Sequence, residues 1–250
     1  AAASPPADLA VWRPSSGTWW VMGGSGSQQV NFNWGANGDF PVPGDYDGDG
    51  KTDFSIFRPT SSTWWIYKSS DNTFYSSAFG TSGDKPVQAD YDGDGKTDAS
   101  VFRPSNGTWY FQGTATGFSS QQFGLANDTP APADYDGDGK ADLAVWRSSA
   151  ATFYSLNSNN NQLVSAIFPA SSNEPVSADY DGDGRADPAI RSGANWIIKN
   201  SSNAAMQTVL WEQATDKSVQ NDYDGDGRVD IAVWRNSNGN WYIRKSGSGG

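Results

Sequence analysis

The sequence predicts an all-β chain in which short four-stranded sheets repeat as the blades of a propeller. Three observations carry that reading. First, the acidic stretch Asp45-Tyr46-Asp47-Gly48-Asp49-Gly50-Lys51-Thr52-Asp53 returns from Asp90, Asp134, Asp179 and Asp222 with almost no change. The starts are 45, 44, 45 and 43 residues apart, a period typical of propeller blades or solenoid units. Second, Gly, Pro, Ser, Thr and Asn punctuate the intervals so often that short strands fit and helices do not. Third, the run after each acidic stretch, such as Leu143-Ala144-Val145-Trp146, is apolar on both faces. A strand of that kind is covered from both sides, as it is when sheets pack blade against blade.

Each element of a unit can be placed in order. From 41 to 80 an inner strand A, Pro41 to Tyr46, leads into the acidic loop, and Phe54 to Arg58 follows as strand B. After a Ser/Thr turn, Thr63 to Tyr67 forms strand C, and Thr73 to Phe79 forms strand D before Gly80. Strands B and C occur six times, counting Leu9 to Arg13 with Thr18 to Trp20 at the start and Asp230 to Ile243 at the end. Strands A and D occur five times each: the first unit lacks A and its loop, keeping only Asp8 from loop position nine, and the last lacks D. The units therefore run near 7–40, 41–85, 86–129, 130–174, 175–217 and 218–245 in one domain, 1–245, with 246–250 as a flexible tail. Six blades, the first and last incomplete, is the preferred count. The alternative is five, with the N-terminal D strand completing the C-terminal A, B and C. A third arrangement pairs the open edges between molecules, because unpaired strand edges are templates for association.

The acidic loop implies a metal. Four carboxylates within nine residues repel one another unless a cation lies among them. The donors are hard oxygens and the chain has no His or Cys, which points to Ca²⁺ rather than zinc or copper, and the loop's flexibility disfavours the strict octahedron of magnesium. Candidate ligands sit at positions one, three, five and nine, with the backbone carbonyl of position seven. They are Asp45, Asp47, Asp49, Lys51 and Asp53; Asp90, Asp92, Asp94, Lys96 and Asp98; Asp134, Asp136, Asp138, Lys140 and Asp142; Asp179, Asp181, Asp183, Arg185 and Asp187; and Asp222, Asp224, Asp226, Arg228 and Asp230. The loop begins like an EF-hand, but the Glu that an EF-hand needs at position twelve is replaced by Ile56, Val101, Val145, Ile190 and Val233.

Asp-x-Asp-Gly-Asp-Gly-x-x-Asp followed by an apolar strand, with Phe79-Gly80 and Phe123-Gly124 before the next unit, resembles the FG-GAP or VCBS repeat of integrin α-subunit propellers and secreted bacterial proteins. The resemblance covers nearly the whole chain. It implies a β-propeller with calcium in the loops between the first and second strands of its blades, at the Asp positions given above. The Phe-Gly half is degraded to Trp34-Gly35, Phe168-Pro169 and Trp211-Glu212, and Pro188-Ala189-Ile190-Arg191 is one residue short and lacks the aromatic before Arg.

Composition narrows the function classes. A formal charge of −11 speaks against nucleic acid, and five Ca²⁺ would bring it to about −1. With no Cys there are no disulfides, and no apolar run approaches the roughly 20 residues of a membrane span. The start, Ala1-Ala2-Ala3-Ser4, reads as the remnant of a small-residue cleavage site. Catalysis finds little support, since there is no His base, no Cys nucleophile and no Gly-x-Ser-x-Gly elbow. The acidic sites are also repeated, whereas an active site is normally single.

Two further series recur. Arg13, Arg58, Arg103, Arg147, Arg191 and Arg235 end the B strands, and are expected to pair with a carboxylate or stack on an aromatic of their own repeat. In Trp19-Trp20, Trp64-Trp65, Trp109-Tyr110, Phe153-Tyr154 and Trp241-Tyr242, one ring of each pair belongs to the core because adjacent strand residues face opposite ways. The other is a candidate sugar platform. Asn106, Asn127 and Asn200 lie in glycosylation sequons. The expectation is a secreted, calcium-stabilised, non-enzymatic propeller that binds a protein or glycan ligand at a cell surface or matrix. The alternatives are a self-assembling subunit of an extracellular filament or surface layer, and a lectin.

Overall fold

The computed structural model describes residues 5–24, 29–170 and 174–247. Its strands form six antiparallel sheets, one per repeat. Blade 1 holds β1 (Leu9–Arg13), β2 (Thr18–Met22) and β3 (Val30–Asn33). Blade 2 holds β4 (Phe40–Pro41), β5 (Phe54–Arg58), β6 (Thr63–Tyr67) and β7 (Phe74–Ala78). Blade 3 follows with β8 (Lys85–Pro86), β9 (Ala99–Arg103), β10 (Thr108–Gly113) and β11 (Gly117–Gln122), and blade 4 with β12 (Thr129–Pro130), β13 (Leu143–Arg147), β14 (Thr152–Leu156) and β15 (Leu163–Ile167). Blade 5 contains β16 (Glu174–Pro175), β17 (Ala189–Ser192), β18 (Asn195–Lys199) and β19 (Met206–Leu210); blade 6 contains β20 (Lys217–Ser218), β21 (Ile231–Arg235) and β22 (Asn240–Arg244). Among the described residues the only helical turn is Ser148–Ala150.

The inner strands are shorter than the sequence suggests. The second residue of β4, β8, β12 and β16 is proline, which has no N–H for a ladder and so confines each strand to the sheet edge. Pairing continues after the proline as a single bridge between the residue before the loop and the loop's last residue, Gly44 with Asp53 in blade 2, repeated at Ala89–Asp98, Ala133–Asp142, Ala178–Asp187 and Asn221–Asp230. That bridge closes each acidic loop at its base.

The core lies between blades. Trp146, Phe153 and Phe168 of blade 4 pack with Ile190 and Ile197 of blade 5, and Trp196 and Ile198 of blade 5 pack with Ile231 and Val233 of blade 6. Trp64, Trp109, Trp146 and Trp196 are fully buried. Each contributes about 3 kcal/mol on the usual scale of apolar burial.

Six blades close the ring, so the five-bladed alternative is excluded. β3 pairs with β2 inside blade 1 and does not complete blade 6. Closure instead uses a bond that also joins the other loop-bearing blades: Ala7 N–H donates to the Asp222 carbonyl at 2.7 Å, as Thr97 does to Asp45, Ala141 to Asp90, Ala186 to Asp134 and Val229 to Asp179. Asp8 keeps its position-nine task, accepting the Gly24 N–H at 2.9 Å. Ala1 to Ser4 and 248–250 lie outside the described residues.

Blade 5 corrects one reading. Arg191 pairs with Trp196 across the hairpin, the register that joins Trp146 to Phe153 in blade 4. It therefore occupies the buried aromatic position, and Ser192 stands where the other blades place their Arg. The B–C hairpin is two residues shorter here, since Ser192 pairs directly with Asn195 across a two-residue turn whereas Arg147 pairs with Thr152.

Candidate metal centres

Each acidic loop is a tight turn built around its own carboxylates. In the first, Asp45 accepts the N–H groups of Gly48 and Gly50 at 2.6 and 2.8 Å. Those glycines have φ of +81° and +83°, a conformation that side chains with a Cβ adopt only with strain. Asp47 accepts the Asp49 N–H at 3.2 Å and the Ser70 hydroxyl at 2.6 Å. Asp53 is 1% exposed and accepts two backbone N–H groups, from Tyr46 at 2.9 Å and Ser69 at 2.8 Å. Tyr46 anchors the turn from below by donating its hydroxyl to the Val42 carbonyl at 2.7 Å. Its counterparts Tyr91, Tyr135, Tyr180 and Tyr223 donate to Val87, Ala131, Val176 and Val219. Burial raises these phenols, Tyr223 up to about 12, so they remain neutral donors.

The structure brings positions one, three and nine together. One carboxylate oxygen from each of Asp45, Asp47 and Asp53 lies within 4.8 Å of the others. Asp134, Asp136 and Asp142 do the same, as do Asp179, Asp181 and Asp187, and Asp222, Asp224 and Asp230; in the second loop the trio is Asp90, Asp92 and Asp94. In the other four loops position five lies outside the trio, and in all five its carboxylate accepts a hydroxyl, Asp94 from Thr114. Asp49, Asp138, Asp183 and Asp226 each accept a serine hydroxyl, from Ser69, Ser158, Ser201 and Ser246. At position seven, the side chains of Lys96, Lys140, Arg185 and Arg228 lie over Gly48, Gly93, Gly137 and Gly182 of the preceding loop. That leaves only their backbone carbonyls for a metal; Lys51 has no preceding acidic loop to lie on.

The donor set fits a hard cation. Asp92 Oδ1 and Asp224 Oδ1 are buried without a partner, and such orphaned carboxylate oxygens are costly unless an ion satisfies them. Position nine points the same way: burial pushes Asp53, Asp98, Asp142, Asp187 and Asp230 above the ordinary carboxylate value, against the pull of the backbone N–H groups that each accepts. Buried acids of this kind favour either a proton or a metal.

Sequence reasoning missed the residues that hold position nine from the far side. Ser69, Thr114, Ser158, Ser201 and Ser246, all in or at the start of the turn after strand C, donate their N–H groups to Asp53, Asp98, Asp142, Asp187 and Asp230. A signal was present: a Ser or Thr follows position nine by 16 residues in four units, and by 14 in blade 5 with its shorter hairpin. Ser246, in the segment read as a tail, is one of them.

The strand-end arginines are clamps. Arg58 meets Asp39 through two hydrogen bonds of 2.8 Å, and Arg103, Arg147 and Arg235 grip Asp84, Asp128 and Asp216 in the same bidentate way. Each also lies over the aromatic at the second position of its pair: Trp65, Tyr110, Tyr154 or Tyr242. Among the described residues Arg13 has only the stacking, on Trp20. Arg191 instead donates to the carbonyls of Asp216 and Gln213 in the segment that leads from β19 to β20, and its Nε is buried without a partner. Burial lowers its pKa. Trp19, Trp64, Trp109 and Phe153, the first of each pair, are buried, and Trp241 less so because blade 6 has no outer strand among the described residues. Of the sequon residues, Asn106 donates to the Tyr110 hydroxyl and accepts the Thr108 N–H.

Comparison with solved structures supports the architecture. A lectin from Agrocybe aegerita that recognises non-reducing terminal N-acetylglucosamine aligns with a TM-score of 0.63 at 16% identity, over 98% of this chain and 74% of that one. A protein of unknown function from Bacteroides caccae aligns at 0.61 and 14%, over 93% and 84%. Streptogramin B lyase aligns at 0.60 and 9%, over 95% and 79%. At such identities these likenesses show the fold. No curated protein matches the sequence. The model of the FG-GAP-like repeat matches three overlapping segments, 45–101, 90–145 and 134–190, each running from one acidic loop through the next. With more than half of its length so matched, the chain belongs to the FG-GAP-like repeat family.

Proposed function

We propose that this chain is a secreted, calcium-stabilised propeller that binds a protein or glycan ligand at a cell surface or matrix and has no enzymatic activity. The observation that carries the reading is the fivefold repetition of the Asp cluster in equivalent places. Five equal sites suit a scaffold, whereas chemistry needs one distinct site. Asp45, Asp47 and Asp53 and their counterparts would hold the ion with the carbonyl of position seven, and the ion would supply the positive charge that clustered carboxylates need to stay together. Extracellular calcium is of the order that fills sites of about 10⁻⁴–10⁻³ M affinity. No helix of the described residues is long and apolar enough to cross a membrane.

The test is retention of the calcium-loaded protein on immobilised matrix proteins, cell-surface extracts and glycans, repeated in chelator. Calcium-dependent retention on at least one surface supports the reading; turnover of a polysaccharide or peptide by the purified chain would replace it with an enzyme. A lectin is the second reading, favoured by the fold shared with the N-acetylglucosamine-recognising protein. Against it, the half-exposed rings at Trp65, Tyr110, Tyr154 and Tyr242 are already covered by their own arginines. A glycan array separates the two.

A further inference from the structure

Consecutive metal loops are bolted to one another, and the bolts fall on the ligands. The first half of a loop carries position one, whose carboxylate folds over the two glycines. The second half carries the position-seven carbonyl and position nine. In four successive pairs, the second half of one loop grips the first half of the loop before it. The N–H of position eight donates to the preceding position-one carbonyl, at 2.6 Å for Thr97 to Asp45 and at 2.7 Å for Ala141 to Asp90, Ala186 to Asp134 and Val229 to Asp179. The position-seven side chain lies on the preceding position-four glycine so closely that a Cβ on Gly93 would come within 2.8 Å of Lys140 Cε. Every bolt is flanked by ligands: residues seven and nine on one side of it, residue one on the other.

Resting on the calcium reading above, we propose that the five loops load as a coupled chain, each ion that orders a loop also fixing the first ligand of the loop before it. A bond that orders two sites at once lowers the ordering cost of the second ion, and thermodynamic reciprocity makes the coupling run in both directions. Electrostatics alone works the other way. Each loop bears four carboxylates, so an ion in one reduces the negative field that attracts an ion to the next. The sign of cooperativity therefore distinguishes a mechanical chain from five neighbouring charges. Position also matters: the loop at 45–53 has no loop before it, since blade 1 carries none, whereas the loop at 134–142 is bolted on both sides.

The experiment is a calorimetric calcium titration of the whole chain, with bound metal counted independently. The wild type is expected to take up five ions with a Hill coefficient clearly above one. Asp136→Asn, in a doubly bolted loop, is expected to weaken the loops at 90–98 and 179–187 on the order of five-fold and to flatten the curve. Asp47→Asn, at the end of the chain, is expected to leave the remaining transition steep. Lys140→Ala removes a side chain that supplies no ligand atom and is expected to lower the Hill coefficient, with Lys140→Arg restoring it, as Arg185 and Arg228 do the same task in later loops. Five ions with a Hill coefficient of one or below overturns the coupling while leaving the calcium reading intact. So do Asp136→Asn and Asp47→Asn curves that superimpose after allowing for one lost ion. No calcium uptake at all overturns both.

Discussion

The two ends of the blades obey different rules. At one end the acidic loops recur five times with the same Asp, Gly and Tyr roles, and even the basic residue at position seven is accounted for by the glycine beneath it in four of them. At the other, the Arg–Asp clamp holds in blades 2, 3, 4 and 6, is reduced to stacking in blade 1, and is abandoned in blade 5, where Arg191 is drawn into the core position of an aromatic. The difference follows from what each end must satisfy. An acidic loop gathers several carboxylates at one point, so a substitution there disturbs the whole cluster. A clamp is one ion pair beside a hairpin, and the connection to the next blade can supply carbonyls in its place.

The largest expected effect comes from position nine. Asp142→Ala strands the N–H groups of Tyr135 and Ser158, and should lower unfolding free energy by about 3 kcal/mol or more in urea titrations, with chelator present as well as without. Asp136→Ala strands only the Asp138 N–H and a long contact from the Asn159 N–H, so it should cost clearly less than Asp142→Ala in chelator and more in calcium than in chelator. Equal losses for both variants in chelator would break the distinction between a structural and a metal-bearing carboxylate.

Next in size are the clamps. Arg147→Ala leaves Asp128, 2% exposed at its side chain, without its partner; with the arginine itself a quarter exposed, the expected cost is about 2 kcal/mol, insensitive to calcium. Arg147→Lys should recover only part of it, because an ammonium cannot reproduce the two parallel bonds. Arg191→Met gives up bonds to two carbonyls but removes an orphaned Nε, so its cost should be smaller, about 1 kcal/mol. A larger loss than at Arg147 would mean that blade 5 depends on its irregular residue more than the regular blades depend on theirs.

Acidity gives the smallest and most selective effect. In the metal-free chain the position-nine carboxyls have raised pKa values, from an ordinary 3.8, with burial the leading cause. A raised folded-state value favours the protonated form, so their contribution to stability is fully present below 3.8 and is lost as pH rises through the raised value. On the proposed calcium reading the same oxygens are ligands, and protons compete with the ion. Thermal scans from pH 7 downward should therefore show the gap between calcium and chelator closing from both sides, and a gap that widens in acid would contradict the assignment.

Much of this was legible before the structure. Position nine, glycine pairs and a tyrosine at position two recur in the sequence, and their fixed spacing is enough to place the loops between strands A and B. The partners of those residues were harder to see. Ser69 and its counterparts are ordinary turn residues until they are seen donating to Asp53 across a hairpin. The grip of Lys140 on Gly93 joins residues from two repeats, where a single repeat read by itself shows only an exposed lysine. Arg191 falls into the arginine series by sequence because it ends an apolar run. Its distance from Asp187, four residues where Arg147 stands five from Asp142, and the missing aromatic before it are the marks of its different place.

The central claim is that calcium holds the blades' acidic ends together, and thermal unfolding with and without the ion tests it most directly. For five sites of about 10⁻⁴ M affinity, 1 mM calcium adds roughly 1 kcal/mol or more per site, or a rise in Tm of about 10 °C or more for a chain of this size. The account predicts that rise together with five bound ions per chain. A Tm that is the same in calcium and in chelator, with no metal retained, would contradict it.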